Sequence, residues 1–393
     1  MEAVAPREHA LQFTGEGSAY FRIWIVNLAL TIITVGLYSP WAKVRRLRYI
    51  YGNTLLDGSP FEFHGDPLAL LKGRLIGVLL LVGYTQAAKV SLVLWLAVVA
   101  AIAVALPWLL WKSQKFRLAN SSYRGIRFGF DGTLRAAYAV FALPIALFMA
   151  PYIWLAALGL NGAQAQKPSA AMFAPVMLLF LLLAVAYPWI FLRVYRYFHA
   201  QARIGSARFA FSATLAGAYG LAFSALGLFA LAMVLALLLG TITGLGVSWI
   251  ARHGAWIWPG AAAVDPGVAG RADSIIGISA GVIAGYVVVL CVYPIFAALK
   301  QNFLWGKTSL DGAPLQSRAH GMALLRIVAG NVFLMLLTLG LYWPFALMRS
   351  LRYQLGVISW TGDPQQIVAQ AGDAAVSATG EETMELLGLD FSL

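Results

Sequence analysis

The sequence predicts an all-α, multi-pass transmembrane helical bundle, and three observations support this fold class. Hydrophobic residues make up 61% of the 393 residues and charged residues only 11%, whereas a typical soluble domain is about 25% charged. The hydrophobic residues are gathered into eight long apolar segments. The net charge of +12 comes mostly from Lys and Arg beside those segments. This composition excludes an ordinary soluble enzyme, a disordered chain and a nucleic-acid-binding domain, and it predicts contact with membrane lipids.

The eight apolar segments define one membrane domain over 20–362, because about 20 apolar residues cross a bilayer as a helix. They run over Tyr20–Trp41, Leu68–Tyr84, Val90–Leu110, Ala136–Leu160, Met172–Leu192, Leu215–Trp249, Ser274–Leu299 and Met322–Leu347. A short tail over 1–19 precedes the domain, on either the cytoplasmic or the periplasmic side. A tail over 363–393 follows it and carries six acids and no Lys or Arg. We expect this acidic tail to be disordered.

A repeated pattern marks the connections: a proline, a basic residue eight positions later and an aromatic residue at nine. The copies are Pro40/Arg48/Tyr49, Pro107/Lys115/Phe116, Pro188/Arg196/Tyr197 and Pro344/Arg352/Tyr353, with Pro294/Asn302/Phe303 as a fifth copy that lacks the charge. Trp41, Trp108 and Trp189 directly follow three of the prolines. Proline and tryptophan beside basic residues are typical of helix ends at the headgroup boundary. The fixed spacing indicates internal duplication.

Short β-hairpins are expected after these helix ends. Phenylalanine pairs stand 21 and 23 residues after three of the prolines: Phe61/Phe63, Phe128/Phe130 and Phe209/Phe211. Thr54–Phe61 (TLLDGSPF) nearly repeats at Thr308–Leu315 (TSLDGAPL), and an Asp-Gly pair between alternating apolar residues is a hairpin signal. The phenylalanines are therefore expected on short strands outside the bilayer, as candidates for one small sheet.

The distribution of basic residues predicts the orientation. The repeat-bearing stretches 43–74, 112–135, 193–208, 300–326 and 349–352 hold 22 of the 28 Lys and Arg residues, and the opposite loops hold four. The positive-inside rule places the repeat-bearing loops in the cytoplasm.

The first and last segments are close copies, since Arg22–Tyr49 aligns without gaps on Arg326–Tyr353. In each copy 18 residues separate the arginine from the proline, whereas two full crossings need about 40. Two interpretations remain. Both segments are single spans, which their length favours and which gives eight crossings, or both are re-entrant helical hairpins that bend near Gly36 and Gly340.

The stretch Phe21–Gly65 resembles the YjgN-like family of bacterial inner-membrane proteins, a family without an assigned activity. The resemblance is strongest over these 45 residues and recurs at Gly321–Pro364. It implies a multi-pass inner-membrane protein, and it implies neither a reaction nor catalytic residues.

Few residues are candidates for a site. Asn27 and Asn331 occupy equivalent positions inside apolar segments and would either pack helices or line a solute pathway. The candidates for headgroup or anion contacts are Arg22, Lys72, Arg326, Arg48, Lys115, Arg196 and Arg352, whose alternative role is snorkelling to the interface. The candidate interface residues are Pro40, Trp41, Pro107, Trp108, Pro188, Trp189 and Pro344.

No catalytic constellation, metal site or cofactor motif is present in the sequence. The sequence therefore predicts a non-enzymatic membrane protein of one of two kinds. The first is a channel or transporter for a small solute. The alternative is a non-catalytic scaffold with a cytoplasmic platform for a protein partner or lipid.

The orientation is testable by cysteine labelling in intact cells. Cysteines placed at Ser59, Ser122 and Ser206 are expected to be shielded from an impermeant thiol reagent, and a cysteine at Gly254 is expected to react. The unmodified chain, with Cys291 alone, is the blank. Labelling at the three serine positions would reverse the orientation.

Overall fold

A five-residue strand, two helices and a three-residue strand follow one another in this order five times. We name these copies units 1 to 5. The computed structural model describes residues 8–157, 170–253 and 291–365, with single helical positions at 279, 282, 285 and 288. Half of the predicted segment Ser274–Leu299 and most of the predicted tail over 363–393 lie outside the described residues.

The bounds of the elements show the repetition. The strands are β1 His9–Phe13, β2 Thr54–Leu56, β3 Ser59–Phe63, β4 Ser121–Tyr123, β5 Ile126–Phe130, β6 Ala202–Ile204, β7 Ala207–Phe211, β8 Thr308–Leu310, β9 Ala313–Ser317 and β10 Ile358–Trp360. The helices are α1 Gly17–Ile33, α2 Ser39–Gly52, α3 Pro67–Val90, α4 Leu92–Ala119, α5 Leu134–Ala157, α6 Ala170–Ala200, α7 Leu215–His253, α8 over 291–305, α9 Gly321–Leu337 and α10 Trp343–Gly356.

The ten strands pair antiparallel, each with two neighbours, and so close into one ring. Asp57 and Gly58 form the turn between β2 and β3, with φ of 49° and 70°. Asp311 and Gly312 form the equivalent turn between β8 and β9, with φ of 50° and 81°. Asp and Gly tolerate these left-handed angles, and both predicted hairpins are confirmed. Their side of the membrane stays a prediction.

The two ends of the chain complete the ring. β1 pairs with β10 through His9 opposite Trp360 and Ala10 opposite Ser359. The turn-linked hairpins have the same register, with Ser59 opposite Leu56. The fifth hairpin therefore lacks a turn, because its two strands come from opposite ends of the chain. The predicted N-terminal tail over 1–19 instead contributes a ring strand and the start of α1.

Apolar side chains from all five units fill the ring. The last residue of each three-residue strand belongs to one hydrophobic cluster: Leu56, Tyr123, Ile204, Leu310 and Trp360. The middle residue of each five-residue strand packs against it: Leu11, Phe61, Phe128, Phe209 and Leu315. Tyr123 is fully buried and its hydroxyl donates to the Leu56 carbonyl at 2.8 Å. Burial raises the pKa of Tyr123 above its usual 10, so the phenol is neutral.

The helices form a circle that follows the order of the strands. Helices α1 to α7 pack on their sequence neighbours, α9 packs on α10, and α10 packs on α1. Ala298 of α8 packs with Leu324 of α9. Five described helical stretches are long and apolar enough to cross a membrane: Pro67–Val90, Leu92–Ala119, Leu134–Trp154, Phe173–Ala200 and Leu215–Thr243. The chain is therefore a helical membrane protein built of repeats.

The first and last segments are helical hairpins, so the prediction that each is a single span is wrong. Helix α1 ends at Ile33 and the chain returns through α2 to β2, which pairs with β1. Gly36 and Gly340 lie at the two bends, each with φ of 89°. At 17 residues each, α1 and α9 are about 25 Å long, less than the bilayer core of about 30 Å.

A threonine sets the bend in each hairpin. The Thr34 hydroxyl donates to the Leu30 carbonyl at 2.7 Å and accepts the Tyr38 backbone N–H at 2.9 Å. Thr338 makes the same pair of bonds with Leu334 and Tyr342. The hydroxyl thus satisfies a backbone N–H at the start of α2 or α10. It also adds a second bond to a carbonyl that already accepts the backbone N–H of the same threonine. The run Thr-x-Gly-Leu-Tyr-x-Pro is the sequence signal for this bend.

A reporter that is active only in the cytoplasm, fused after Leu393, is expected to be active. Strand β10 lies in the same ring as the four turn-linked hairpins, which the basic residues place inside. An inactive reporter at normal expression would contradict the expectation that both ends of every unit lie on the cytoplasmic side. Cysteine labelling gives an independent control, for which the exposed Ser206 is better suited than Ser122, which is 1% exposed.

Candidate functional site

In two copies of the repeat the basic residue links its unit to the next. The Arg196 guanidinium donates to the Ala213 carbonyl at 2.9 Å, and that of Arg352 donates to the Gly15 carbonyl at 2.9 Å. Both carbonyls lie two residues after a five-residue strand. Arg196 and Arg352 therefore hold neighbouring units together. Contact of either side chain with a headgroup stays a prediction.

In the copy of the repeat that lacks the charge, Asn302 makes the link to the next unit. Its amide nitrogen donates to the Ala319 carbonyl at 2.8 Å, and its oxygen accepts the Ala319 backbone N–H at 2.8 Å. The same oxygen accepts the Ser317 hydroxyl at 2.9 Å. The side chain therefore replaces the arginine link between units 4 and 5.

The aromatic residue of the repeat closes its own unit. The Tyr49 hydroxyl donates to the Glu16 carbonyl and accepts the Glu16 backbone N–H, both at 2.9 Å. Tyr353 does the same with His320, at 3.1 and 2.8 Å. Tyr197 donates to the Thr133 carbonyl at 3.1 Å. These bonds tie the end of one helix to the start of its partner.

The prolines predicted at the headgroup boundary are buried within the protein. Pro40, Pro107 and Pro344 are among the most buried side chains, and Pro188 is also buried. Pro40 and Pro344 lie in the first turn of their helices, whereas Pro107 and Pro188 lie inside continuous helices. Trp41, Trp108 and Trp189 are half-buried.

Two tyrosines that the repeat pattern did not indicate bond to the helical turn before each internal proline. A proline lacks the N–H that would bond to the carbonyl four residues earlier. The Tyr138 hydroxyl donates at 2.8 Å to the Val104 carbonyl, three residues before Pro107. Tyr219 donates at 2.9 Å to Val185, three residues before Pro188. Each tyrosine stands eight residues after its strand's last phenylalanine, a spacing that could have revealed them.

Asn27 and Asn331 are buried, with 6% and 3% exposure. The Asn331 amide donates to the Ala346 carbonyl and to the Ser350 hydroxyl oxygen, both at 3.1 Å. It therefore joins α9 to α10, as the packing interpretation predicts. The Oδ1 atoms of both asparagines are buried and accept no hydrogen bond within the described residues.

One cavity among the described residues is basic. It is an open groove of about 680 Å³ in unit 1, between α1 and α2. It is lined by Arg22, Ile23, Val26, Arg45, Arg48, Tyr49, Gly52 and Asn53. The three arginines are exposed, and no lining residue is acidic. The groove brings together Arg22 and Arg48, two predicted anion contacts, and adds Arg45, which sequence reasoning missed.

The remaining predicted basic contacts are separate. Lys72 and Arg326 are exposed near the starts of α3 and α9. Both stand nine residues after the end of a strand, as Arg22 does, so the three lie at one level of the fold. Lys115 is exposed and its ammonium lies 5.7 Å from the Trp111 ring centre. No group of three metal-ligating side chains occurs within the described residues.

The second cavity is apolar. It has a volume of about 620 Å³ and lies among α3, α4, α5 and α6. Aromatic residues supply much of its wall: Tyr84, Trp95, Phe141, Phe148, Tyr152 and Tyr187. The other lining residues are aliphatic, Met or Pro, so a polar solute would find few partners there.

These features define a multi-pass helical membrane protein built from five repeated units. The family model described as "Bacterial protein of unknown function (DUF898)" matches residues 8–386, and the chain belongs to this family. It is 36% identical over 154 residues to "Inner membrane protein YjgN" of Salmonella typhimurium (strain LT2), a match that covers 37% of this chain and 38% of the relative.

The protein of the same name in Escherichia coli (strain K12) is 30% identical over 139 residues, 35% of each chain. The matched segments therefore cover little more than a third of these relatives. The resemblance to the YjgN-like family is confirmed. No solved structure matches the chain.

The link at Asn302 is testable by thermal unfolding in detergent. Asn302→Ala removes three hydrogen bonds between units 4 and 5 and is expected to cost about 1–3 kcal/mol, seen as a lower unfolding midpoint. Asn302→Arg restores the residue of the other copies and is the matched control, with an expected loss less than half as large. Equal losses for both variants would show that the amide acts through packing alone.

Proposed function

We propose that the protein is a non-catalytic scaffold of the bacterial inner membrane, with the ring of strands as a cytoplasmic platform that contacts lipid headgroups. The filled ring is the observation that carries this proposal. Ten apolar side chains, two from each unit, occupy its centre. An aqueous path along the ring axis would have to displace these packed side chains.

The helices support the same conclusion. Large apolar side chains are exposed along the described spanning helices, such as Leu79 at 71% and Leu237 at 70% exposure. Exposed apolar surface of this extent is stable against lipid and costly against water. The cavity among α3 to α6 is also lined mainly by apolar side chains, so it does not offer a polar path through the helices. Lipid is thus the environment that these helices suit.

Two further observations support the proposed location and orientation. The relatives are called inner membrane proteins, and the ring side carries 22 of the 28 basic residues. The hairpins of units 1 and 5 both return to the ring. We therefore infer six crossings, five by α3 to α7 and one by the apolar segment Ser274–Leu299 that the sequence predicts. We also infer a cytoplasmic location for both termini.

A channel or transporter for a small solute is the second candidate. The buried Oδ1 atoms of Asn27 and Asn331 favour it, because unpartnered polar atoms at membrane depth are costly and often functional. A solute that donates hydrogen bonds to them would explain their burial. The two asparagines lie in α1 and α9, which flank α10.

A flux assay in reconstituted vesicles separates the two candidates. The scaffold proposal predicts that release of K⁺ and of glycerol stays within about twofold of protein-free vesicles, because the ring is filled. Flux that Asn27→Ala with Asn331→Ala abolishes would overturn the scaffold and support conduction. Thr241→Ala with Thr243→Ala, which removes two exposed hydroxyls of α7, is the control at equal protein incorporation.

A further inference from the structure

The basic groove of unit 1 combines two kinds of lining. Three arginines, Arg22, Arg45 and Arg48, supply guanidinium groups, and Ile23 and Val26 supply apolar wall. The Arg45 guanidinium lies 5.7 Å from the Tyr38 ring centre. An arginine held over a ring keeps its in-plane N–H groups free to bind an anion. The groove therefore offers several charge donors beside an apolar surface.

Unit 5 has the same arginines in a different arrangement. Arg326, Arg349 and Arg352 align with Arg22, Arg45 and Arg48. Arg352 donates to the Gly15 carbonyl of unit 1, and the Arg349 guanidinium lies across Gly330, 3.4 Å from where a side chain would begin. Val26 occupies the position of Gly330 in unit 1 and lines the open groove.

The position of the groove fits an amphipathic ligand. The three arginines lie on the parts of α1 and α2 nearest the ring, whereas α1 continues with exposed apolar side chains, among them Val26 at 47% and Ile33 at 75% exposure. Arg22 is at the level of Lys72 and Arg326, near the expected interface. A phosphate at the arginines would therefore place an attached acyl chain along the apolar face of α1.

We propose that this groove binds the phosphate of one anionic phospholipid, with Arg22, Arg45 and Arg48 as its ligands and the lipid chain along α1. Arginine forks match phosphate oxygens in pairs, and a basic site at a membrane surface favours anionic lipid. The inference rests on the proposed function, since it names the lipid that the platform holds. Free phosphate shares the chemistry at the arginines but not the contact with α1.

Native mass spectrometry of the full chain with phosphatidylglycerol tests the site. Arg22→Gln with Arg45→Gln is expected to weaken retention of one phosphatidylglycerol by about 10- to 30-fold. The matched control is Arg326→Gln with Arg349→Gln, which removes the same charge from the aligned positions and is expected to leave retention within about twofold. Arg45→Lys, which keeps the charge but loses the fork, is expected to have an intermediate effect.

The outcomes separate the site from the platform. Equal retention by the groove variant and the unmodified chain, or equal losses in both double variants, would overturn the groove and leave the platform standing. An unmodified chain that retains phosphatidylglycerol no better than phosphatidylcholine would overturn both. Thermal stabilisation by inorganic phosphate alone as large as that by phosphatidylglycerol would overturn the choice of a lipid. Selective loss in the groove variant, with an unchanged elution profile in detergent, supports the inference.

Discussion

Closure of the ten-strand ring is the constraint on which the rest of the structure depends. Each strand has only three or five residues, too few to be stable as an isolated hairpin, and an open edge would expose unpaired backbone groups. The pairing of β1 with β10 removes both edges. Once the ring is closed, the ends of every helical pair are fixed beside each other, and α10 is brought against α1.

Much of this architecture could be predicted from local sequence. The Pro-basic-aromatic spacing marks one helix of each unit, and the Asp-Gly pairs mark two of the turns. The fifth hairpin could not be found this way, because its strands are His9–Phe13 and Ile358–Trp360 with no turn between them. The bend at Gly36 was one of two interpretations of the sequence, and segment length favoured the other, a single span. The bonds that the Thr34 hydroxyl makes on both sides of the bend decide between the two.

The candidate site was predictable in its residue types but not in its partners. Arg196 and Arg352 have the character of headgroup ligands, yet each donates to a carbonyl of the next unit. No local pattern reveals that acceptor, since in the case of Arg352 it lies 337 positions away in the chain. Arg45 could have been found from its alignment with Arg349. The two arginines occupy the same position of the two duplicated hairpins.

Duplicated units become functionally different through their neighbours in the closed ring. Units 1 and 5 are the two short hairpins, and closure places them side by side through α1 and α10. In this sector Arg352 is occupied by the Gly15 carbonyl, whereas Arg48 lines a groove with two further arginines and no acid. The longer helices of units 2 to 4 carry no such arrangement within the described residues. Arg48 and Arg352 thus have different surroundings although they occupy the same position of two duplicated hairpins.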